Sequence, residues 1–138
     1  MKPVLLDTNV VSALRIPHRQ SPAFQRWLRQ LDDTDTYICC LTWMEITTGI
    51  LKKRRTDPAQ ATLLETWFHS IHREYEQRTI PFDDKAAVAT SPLWLLRSRG
   101  SVDTLIAGVA LANGMALATR NVADFEDVPG LRVINPWG

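Results

Sequence analysis

The sequence predicts an α/β fold, a three-layer α/β/α sandwich with a parallel sheet of about five strands. Segments typical of strands alternate with segments typical of helices along the chain. The strand segments are apolar throughout, as expected of strands that helices cover on both faces. The 138 residues, 45% of them hydrophobic and 22% charged, suffice for one domain with its own core, which we place at residues 1–138.

The first half of the chain contains two predicted strands and four predicted helices. Capping side chains or prolines mark the helix starts, and apolar residues recur at helical spacing after them. The first elements are a strand at 3–6, a helix at 8–14 that stops near Pro17, and a helix that begins at Ser21 and Pro22. A strand at 37–41 follows. Next come a helix from Thr42 to about Lys53 and a helix that begins at Asp57 and Pro58 and runs through Ile71. The last two helices form a hairpin.

The second half contains three predicted strands and two predicted helices. In order, they are a strand at 79–82, a helix that Asp83 caps and that reaches roughly Arg99, a helix at 102–113 that Gly114 ends, a strand at 115–119, and a short strand at 132–134. Pro92 lies within the first of these helices, and it leaves open whether a new helix begins there.

Charge gives a weak indication of partners. The formal net charge is +1, whereas proteins that bind nucleic acid by charge alone are usually much more basic. One compact basic run, Lys52, Lys53, Arg54 and Arg55, stands out. Such a run is usually the solvated end of a helix, but it also suits the phosphates of RNA.

The sequence shows no segment that could cross a membrane and no signal peptide. We therefore expect a soluble, cytoplasmic protein that does not associate with membranes. Cys39 and Cys40 are adjacent, which is poor geometry for a disulfide, and they lack the spacing of a zinc site. We interpret them as small core residues.

Four acidic residues fall where ligands bind to parallel sheets, beyond the carboxyl ends of the strands. Asp7 directly follows the first strand, and Glu45 lies in the first turn of the helix after the second strand. Asp103 begins the helix that leads into the fourth strand, and Asp124 comes one turn beyond that strand. Because a crossover helix runs antiparallel to the strands, its start lies at the same edge. The four carboxylates can therefore converge.

Each of these residues also has a simpler interpretation. Asp7 or Asp103 could be a helix cap, Glu45 suits a helix dipole, and Asp124 could be a solvated loop residue. The neighbours of Glu45, however, predict a largely buried helix, where a lone carboxylate would be costly unless it is paired or binds a metal. For the fourth position, Glu126 or Asp127 could reach the same metal as Asp124.

Clustered carboxylates repel one another, and hard divalent cations relieve that repulsion because they prefer oxygen ligands. Such a site would hold Mg²⁺ or Mn²⁺, which activates water for hydrolysis of a phosphodiester bond. The sequence has no Gly-rich phosphate loop and no nucleophile elbow. His18, His69 and His72 have neither a partner cysteine nor a recognisable ligand spacing.

These residues resemble the PIN-domain ribonucleases, and within them the VapC toxins of bacterial toxin–antitoxin pairs. The similarity covers essentially the whole chain. It is carried by five segments in order, VLLDTNV at 4–10, WMEI at 43–46, VDTLIA at 102–107, LATRNVADF at 117–125 and VINPW at 133–137.

The resemblance implies that Asp7, Glu45, Asp103 and Asp124 bind the metal, directly or through water. It implies that Asn9 and Thr119 orient these groups by hydrogen bonds, and Asn121 either joins them or has a left-handed or capping role at the end of the strand. It further implies an endoribonuclease that cuts a structured RNA such as a transfer RNA, forms a homodimer, and is held inactive by an antitoxin.

The segment 90–94, TSPLW, departs from the Ala- and Arg-rich helix that is common before Asp103 in this family. RNA bases could stack on Trp27, Trp43, Trp67 or Trp94, although an aromatic residue at helical spacing more often belongs to the core or to a dimer interface. Trp94 is the tryptophan to test for base stacking. Arg120 joins the basic run as a candidate for RNA binding. Two alternatives remain: a non-catalytic partner that acts with its antitoxin on operator DNA, and a receiver-like Mg²⁺ domain, which would need a lysine where Arg120 and Asn121 stand.

Overall fold

The computed structural model describes residues 3–96 and 101–138, which form a parallel sheet of five strands. The strands are Val4–Leu6 (β1), Thr36–Cys39 (β2), Thr79–Ile80 (β3), Ala116–Ala118 (β4) and Val133–Ile134 (β5). Their order across the sheet is β3-β2-β1-β4-β5, and every neighbouring pair is parallel. The predicted fold class is confirmed, with each strand slightly shorter than the sequence pattern indicated.

Six α-helices connect these strands in the part of the chain that the structure describes. They are Thr8–Ala13 (α1), Pro22–Gln30 (α2), Cys40–Thr56 (α3), Pro58–Glu74 (α4), Asp84–Leu96 (α5) and Val102–Ala112 (α6). The predicted caps form at α2, α4 and α5, where the side chains of Ser21, Asp57 and Asp83 accept backbone N–H bonds. Gly114 follows α6 with a φ of 64°, a conformation that glycine adopts without strain.

The two faces of the sheet carry separate cores. Val4 and Leu6 of β1 pack with residues of α1 to α4 on one face. Leu5 points the other way and packs with residues of α5 and α6. This alternation follows from the two-residue period of a strand. The sandwich therefore has three layers, as the sequence predicted. Strand β1 lies at the centre of the sheet.

The boundary between β2 and α3 differs from the prediction. The strand ends at Cys39 and the helix begins at Cys40, without a side-chain cap. The sequence predicts that Thr42 caps this helix, but Thr42 lies inside the first turn, where its hydroxyl is hydrogen-bonded to the hydroxyl of Thr8. The earlier start places Glu45 in the second turn of α3 and not in the first. The helix is also less buried than predicted, since Met44 and Gly49 are exposed.

Pro92 lies inside α5 and does not end it, because the helix continues to Leu96. A proline there removes the hydrogen bond to the carbonyl of Val88, but Val88 is exposed and water can replace that bond. The predicted end of this helix near Arg99 falls outside the described residues. Among the described residues, no helix is both long and apolar enough to cross a membrane.

Candidate active site

Asp7 occupies the carboxyl end of the central strand. Its N–H extends the ladder with a 2.9 Å bond to the carbonyl of Ala118, at the end of β4. Its side chain is only 2% exposed, and one carboxylate oxygen accepts the N–H of Thr8 at 2.9 Å. Asp7 therefore does cap α1, as the simpler interpretation held, but this bond uses only one of its two oxygens.

Thr119 and Asn9 orient the second oxygen of Asp7. The hydroxyl of Thr119 donates to Oδ2 of Asp7 at 2.7 Å, and the amide of Asn9 donates to the same oxygen at 3.3 Å. The Asn9 amide also lies 3.2 Å from the Thr119 hydroxyl. Asp7 and Thr119 directly follow β1 and β4, which are neighbouring strands in register, and Asn9 lies in the first turn of α1. The structure thus brings together three of the predicted site residues.

Glu45 joins this group through Thr8. The hydroxyl of Thr8 donates to a Glu45 carboxylate oxygen at 2.5 Å and lies 3.2 Å from the hydroxyl of Thr42. Glu45 itself is half-buried. The sequence did not identify Thr8 as a site residue, although its position directly after Asp7 was a usable signal, because the first residue of α1 must lie beside the carboxylate that caps it.

The electrostatics of the pair Asp7 and Glu45 favour a bound cation. Burial raises the pKa of Asp7 above its ordinary value, and the negative charge of Glu45 raises it further. Hydrogen bonds from Thr119, Thr8 and Asn9 act in the opposite direction, because they stabilise the charged carboxylate. A buried carboxylate beside a second one is costly, and a cation would offset that cost.

Asp103 and Asp124 lie further along the same edge. Asp103 is half-buried in the first turn of α6, which starts where β4 ends because the helix leads back into that strand. Ser101 caps α6, so the interpretation of Asp103 as a cap is wrong. Asp124 is exposed at the end of a short 3-10 helix, Val122–Asp124. Their roles as ligands, like those of Asp7 and Glu45, stay predictions.

Within residues 3–96 and 101–138, no three side chains of His, Cys, Asp or Glu lie close enough together to bind one metal ion. The side chains as they stand form a carboxylate pair and not a cage. Mg²⁺ commonly uses only one or two carboxylates and fills its other positions with water and substrate phosphate. The oxygen donors of Asp7 and Glu45 therefore fit this ion.

The residues after β4 are fixed by backbone bonds. Asn121 has negative φ and makes no capping bond with its side chain, so the predicted left-handed or capping role is wrong for it. Its N–H donates to the hydroxyl of Thr119 at 3.1 Å. The N–H of Arg120 donates to Oδ1 of Asn9, also at 3.1 Å. This segment thereby holds both Thr119 and Asn9 in place.

A groove of about 670 Å³ opens beside Glu45, between α1, α3 and α4. Its lining includes Thr8, Arg15 and Lys53. Of the basic run, Lys53 therefore faces the groove, whereas Arg54 pairs with Glu65 of α4 at 3.0 Å. Lys52 and Arg55 are exposed and do not line it.

Four of the tryptophans divide into core and surface. Trp43 is buried, and Trp27 and Trp67 pack against the core on the side of α1 to α4, as the sequence favoured. Trp94 is 51% exposed on α5. It lines a different apolar depression, formed with residues of α5 and α6, and not the groove beside Glu45.

The sequence matches a family model described as the PIN domain over residues 4–131. Ribonuclease VapC14 of Mycobacterium tuberculosis is 44% identical over 64 residues, a match that spans 46% of this chain and 61% of that protein. Plasmid stability protein StbB of Pseudomonas syringae pv. tomato is 33% identical, over 97% of this chain and 98% of that one. VapC ribonuclease Y4jK of Sinorhizobium fredii is 31% identical, over 97% of each chain.

Solved structures show the same architecture. A chain of FitAcB from Neisseria gonorrhoeae superposes with a TM-score of 0.83 and 26% identity, covering 97% of this chain and 98% of that one. A chain of FitAB bound to an IR36 DNA fragment superposes with a TM-score of 0.81 and 27% identity, covering 98% and 96%. The strand order and helix layers described above are therefore those of a known fold.

Proposed function

This chain belongs to the PIN domain family, and from that premise we propose that it is a metal-dependent endoribonuclease that hydrolyses RNA phosphodiester bonds. Two relatives that carry the name ribonuclease support the activity. The observation that carries the proposal is the Asp7 carboxylate, buried at the end of the central strand, oriented by Thr119 and Asn9, and placed beside Glu45.

Asp7 and Glu45 would hold Mg²⁺ or Mn²⁺, with Asp103 and Asp124 contributing directly or through water. We propose Asp124 as the fourth carboxylate, in preference to Glu126 and Asp127, because it lies within the motif at 117–125. When bound, such an ion lowers the pKa of a water molecule and stabilises negative charge on the phosphate and the leaving oxygen.

The protein itself contributes to the reaction by holding the carboxylates of Asp7 and Glu45 in fixed orientations. Thr119, Asn9 and the N–H of Thr8 together fix both oxygens of Asp7, so its orientation is set before substrate binds. Thr8 fixes Glu45 in the same way. Carboxylates that are already oriented need little rearrangement during the reaction, which is the usual source of rate enhancement by fixed polar groups. The groove beside Glu45 offers Arg15 and Lys53 to an approaching phosphodiester chain.

We propose that a small antitoxin protein inhibits the enzyme, and that the chain contacts operator DNA only through this antitoxin. We further propose that the chain acts in the cytoplasm as a homodimer, and that its substrate is a structured RNA such as a transfer RNA. The VapC names of two relatives support a toxin–antitoxin pair. The structure of FitAB with a DNA fragment supports the contact with DNA.

The test is cleavage of total cellular RNA by the purified protein, with Mg²⁺, with Mn²⁺ and with EDTA. We expect cleavage with either ion and none with EDTA. Asp7→Asn and Asp103→Asn should each lower the rate by about 100-fold or more and leave the circular dichroism spectrum unchanged. Among the acidic residues after β4, Asp124→Asn should have a larger effect than Glu126→Gln or Asp127→Asn.

Glu76→Gln is the matched control, because Glu76 is an exposed acid that precedes β3, at the opposite edge of the sheet. This variant should cleave like the wild type. Activity equal to wild type in the double variant Asp7→Asn, Asp103→Asn would overturn the proposal.

A second candidate function is a non-catalytic partner that binds operator DNA together with its antitoxin. One observation favours it, since the similar FitAB structure contains DNA. The same assay separates the two functions, since a non-catalytic partner leaves total RNA intact at any concentration of metal.

A further inference from the structure

We propose that Arg120 contacts a backbone phosphate of the RNA substrate, and that Trp137 positions its guanidinium for this contact. The inference rests on the proposed ribonuclease function and adds a specific anchor for the substrate beside the reacting site. It is carried by the position of Arg120, by the aromatic platform beneath its side chain, and by the fact that its guanidinium pairs with no acidic side chain among residues 3–96 and 101–138.

The backbone places Arg120 next to the carboxylates. It directly follows Thr119, whose hydroxyl donates to Asp7. The N–H of Arg120 donates to Oδ1 of Asn9 at 3.1 Å, while the amide nitrogen of Asn9 donates to Asp7. A single side chain therefore links the backbone of Arg120 to the carboxylate at the centre of the site.

Trp137 forms a platform for the guanidinium. The guanidinium carbon of Arg120 lies 4.4 Å from the centre of the Trp137 ring. The ring is itself held on two sides, by Phe24 with 4.7 Å between ring centres and by a 3.2 Å bond from its Nε1 to the side chain of Gln20. A guanidinium stacked on a fixed ring loses freedom but keeps its N–H donors available.

The turn after β5 explains why Trp137 reaches this point. The N–H of Trp137 donates to the side chain of Asn135 at 3.0 Å, and the N–H of Gly138 donates to the Asn135 carbonyl at 3.1 Å. This turn follows β5, whose Ile134 carbonyl accepts the N–H of Thr119 at 2.9 Å. The segment at 135–138 is thereby folded back over the residues that follow β4.

The charge of Arg120 is available for a ligand. The side chain is exposed, and in the described part of the chain the ion pair found is Arg54 with Glu65, which does not involve it. An exposed cation on an aromatic ring beside a hydrolytic site suits a phosphodiester, because planar guanidinium donors match phosphate oxygens. Among the described residues, the guanidinium groups stacked on aromatic rings are those of Arg120 and Arg78, and the basic run at 52–55 contributes none of them.

The experiment measures both RNA binding and RNA cleavage. Binding of a short fluorescein-labelled oligouridylate is followed by anisotropy in EDTA, over a range of salt concentrations, for wild type, Arg120→Ala and Arg120→Lys. We expect Arg120→Ala to weaken binding by about tenfold at low salt and to reduce the slope of log affinity against log salt by about 0.7, the value for one contact with a single strand. Arg120→Lys should retain the slope.

Trp137 is tested with two replacements of different character. Trp137→Leu keeps an apolar side chain but removes the aromatic face, so we expect the reduced affinity and slope of Arg120→Ala. Trp137→Phe keeps an aromatic face and should restore both. In the cleavage assay, Arg120→Ala and Trp137→Leu should raise KM and change kcat little, which a general loss of folded protein would not do.

Arg132→Ala is the control, because Arg132 is also exposed but precedes β5, at the opposite edge of the sheet. It should behave like wild type in both assays. If wild type cleaves RNA and Arg120→Ala matches it in affinity, salt slope and KM, this inference is overturned and the proposed function stands. If wild type does not cleave RNA at all, the proposed function fails, and this inference with it.

Discussion

Asp7 is both the first residue after a central strand and the cap of the helix that follows. As a cap it contributes about 1 kcal/mol to stability, but its burial and the charge of Glu45 raise its pKa and make the charged form costly. Thr119 and Asn9 offset part of that cost with hydrogen bonds. At residue scale, the site is a carboxyl group that the fold buries and orients at an energetic cost.

Cys39 gives a prediction at the same scale. Burial raises the pKa of its thiol to about 12, so at pH 8 only about one molecule in ten thousand carries the reactive thiolate there. We expect iodoacetamide to leave Cys39 unmodified in the native Cys40→Ser variant and to modify it once urea unfolds the protein. Mass spectrometry of the alkylated protein measures this.

The complementary variant Cys39→Ala reports on Cys40, which is half-buried, and this thiol should react faster than Cys39 in the native protein. Alkylation of native Cys39 at the rate of an unfolded control peptide would contradict the burial of this residue.

Some site residues could be predicted from the sequence and others could not. Asp7 and Glu45 follow successive strands, and the topology of a parallel sheet is enough to place them together. The bond from Thr119 to Asp7 joins residues 112 positions apart, and no local pattern indicates it. Asn9 and Thr119 were therefore identified only by resemblance, and the platform role of Trp137 was not identified at all.

At the scale of elements, α5 and α6 pack without space for a side chain at Gly108. A Cβ on this residue would lie 1.7 Å from Oγ1 of Thr90 and 3.2 Å from its Cα. The helices would have to move apart, because Thr90 is buried and its hydroxyl bonds the carbonyl of Ala86 at 2.7 Å. We expect Gly108→Ala to lower the free energy of unfolding by about 1–3 kcal/mol, as overpacking usually does, measured by urea denaturation.

Gly49→Ala is the matched control within a helix. No atom lies within 4 Å of a Cβ at Gly49, so the better helix propensity of alanine should raise the free energy of unfolding by up to about 1 kcal/mol. Equal effects of the two substitutions would show that the contact between Gly108 and Thr90 is not tight.

Most elements were predictable because their periodicity and caps agree. The start of α3 was not, since Cys40 and Leu41 are apolar and suit the end of a strand as well as the first turn of a helix. Thr42 resembled a cap in sequence, but in the structure its hydroxyl bonds Thr8. Thr42 therefore makes a tertiary contact in place of the cap that its local sequence predicts. Because α3 begins earlier than predicted, Glu45 lies in its second turn and not in its first.

At the scale of the whole molecule, Asp7 lies at the end of the central strand and Glu45 lies beside it, because β1 pairs with β2 on one side and with β4 on the other. Two carboxyl groups are therefore close together at the middle of the sheet. A cation that binds only the folded protein stabilises it by mass action, by about 2.7 kcal/mol at a hundredfold excess over Kd. We expect Mg²⁺ to raise the Tm of wild type by several degrees, and EDTA to reverse the rise.

Calorimetry at constant ionic strength, with KCl replacing MgCl₂, separates this effect from general screening of charge. Asp7→Asn should show a much smaller rise. An equal rise in both proteins would place the bound ion elsewhere and contradict the assignment of Asp7.

The order of the strands has a practical consequence. β1 and β4 are neighbours in the sheet although residues 7–115 separate them in sequence, and the link at 81–83 lies within this intervening segment. A chain severed at this link would leave Asp7 and Glu45 in one fragment and Thr119 and Arg120 in the other. Neither fragment carries a complete site. The two halves could therefore be expressed separately as a split reporter, in which cleavage of RNA would show that the fragments have associated.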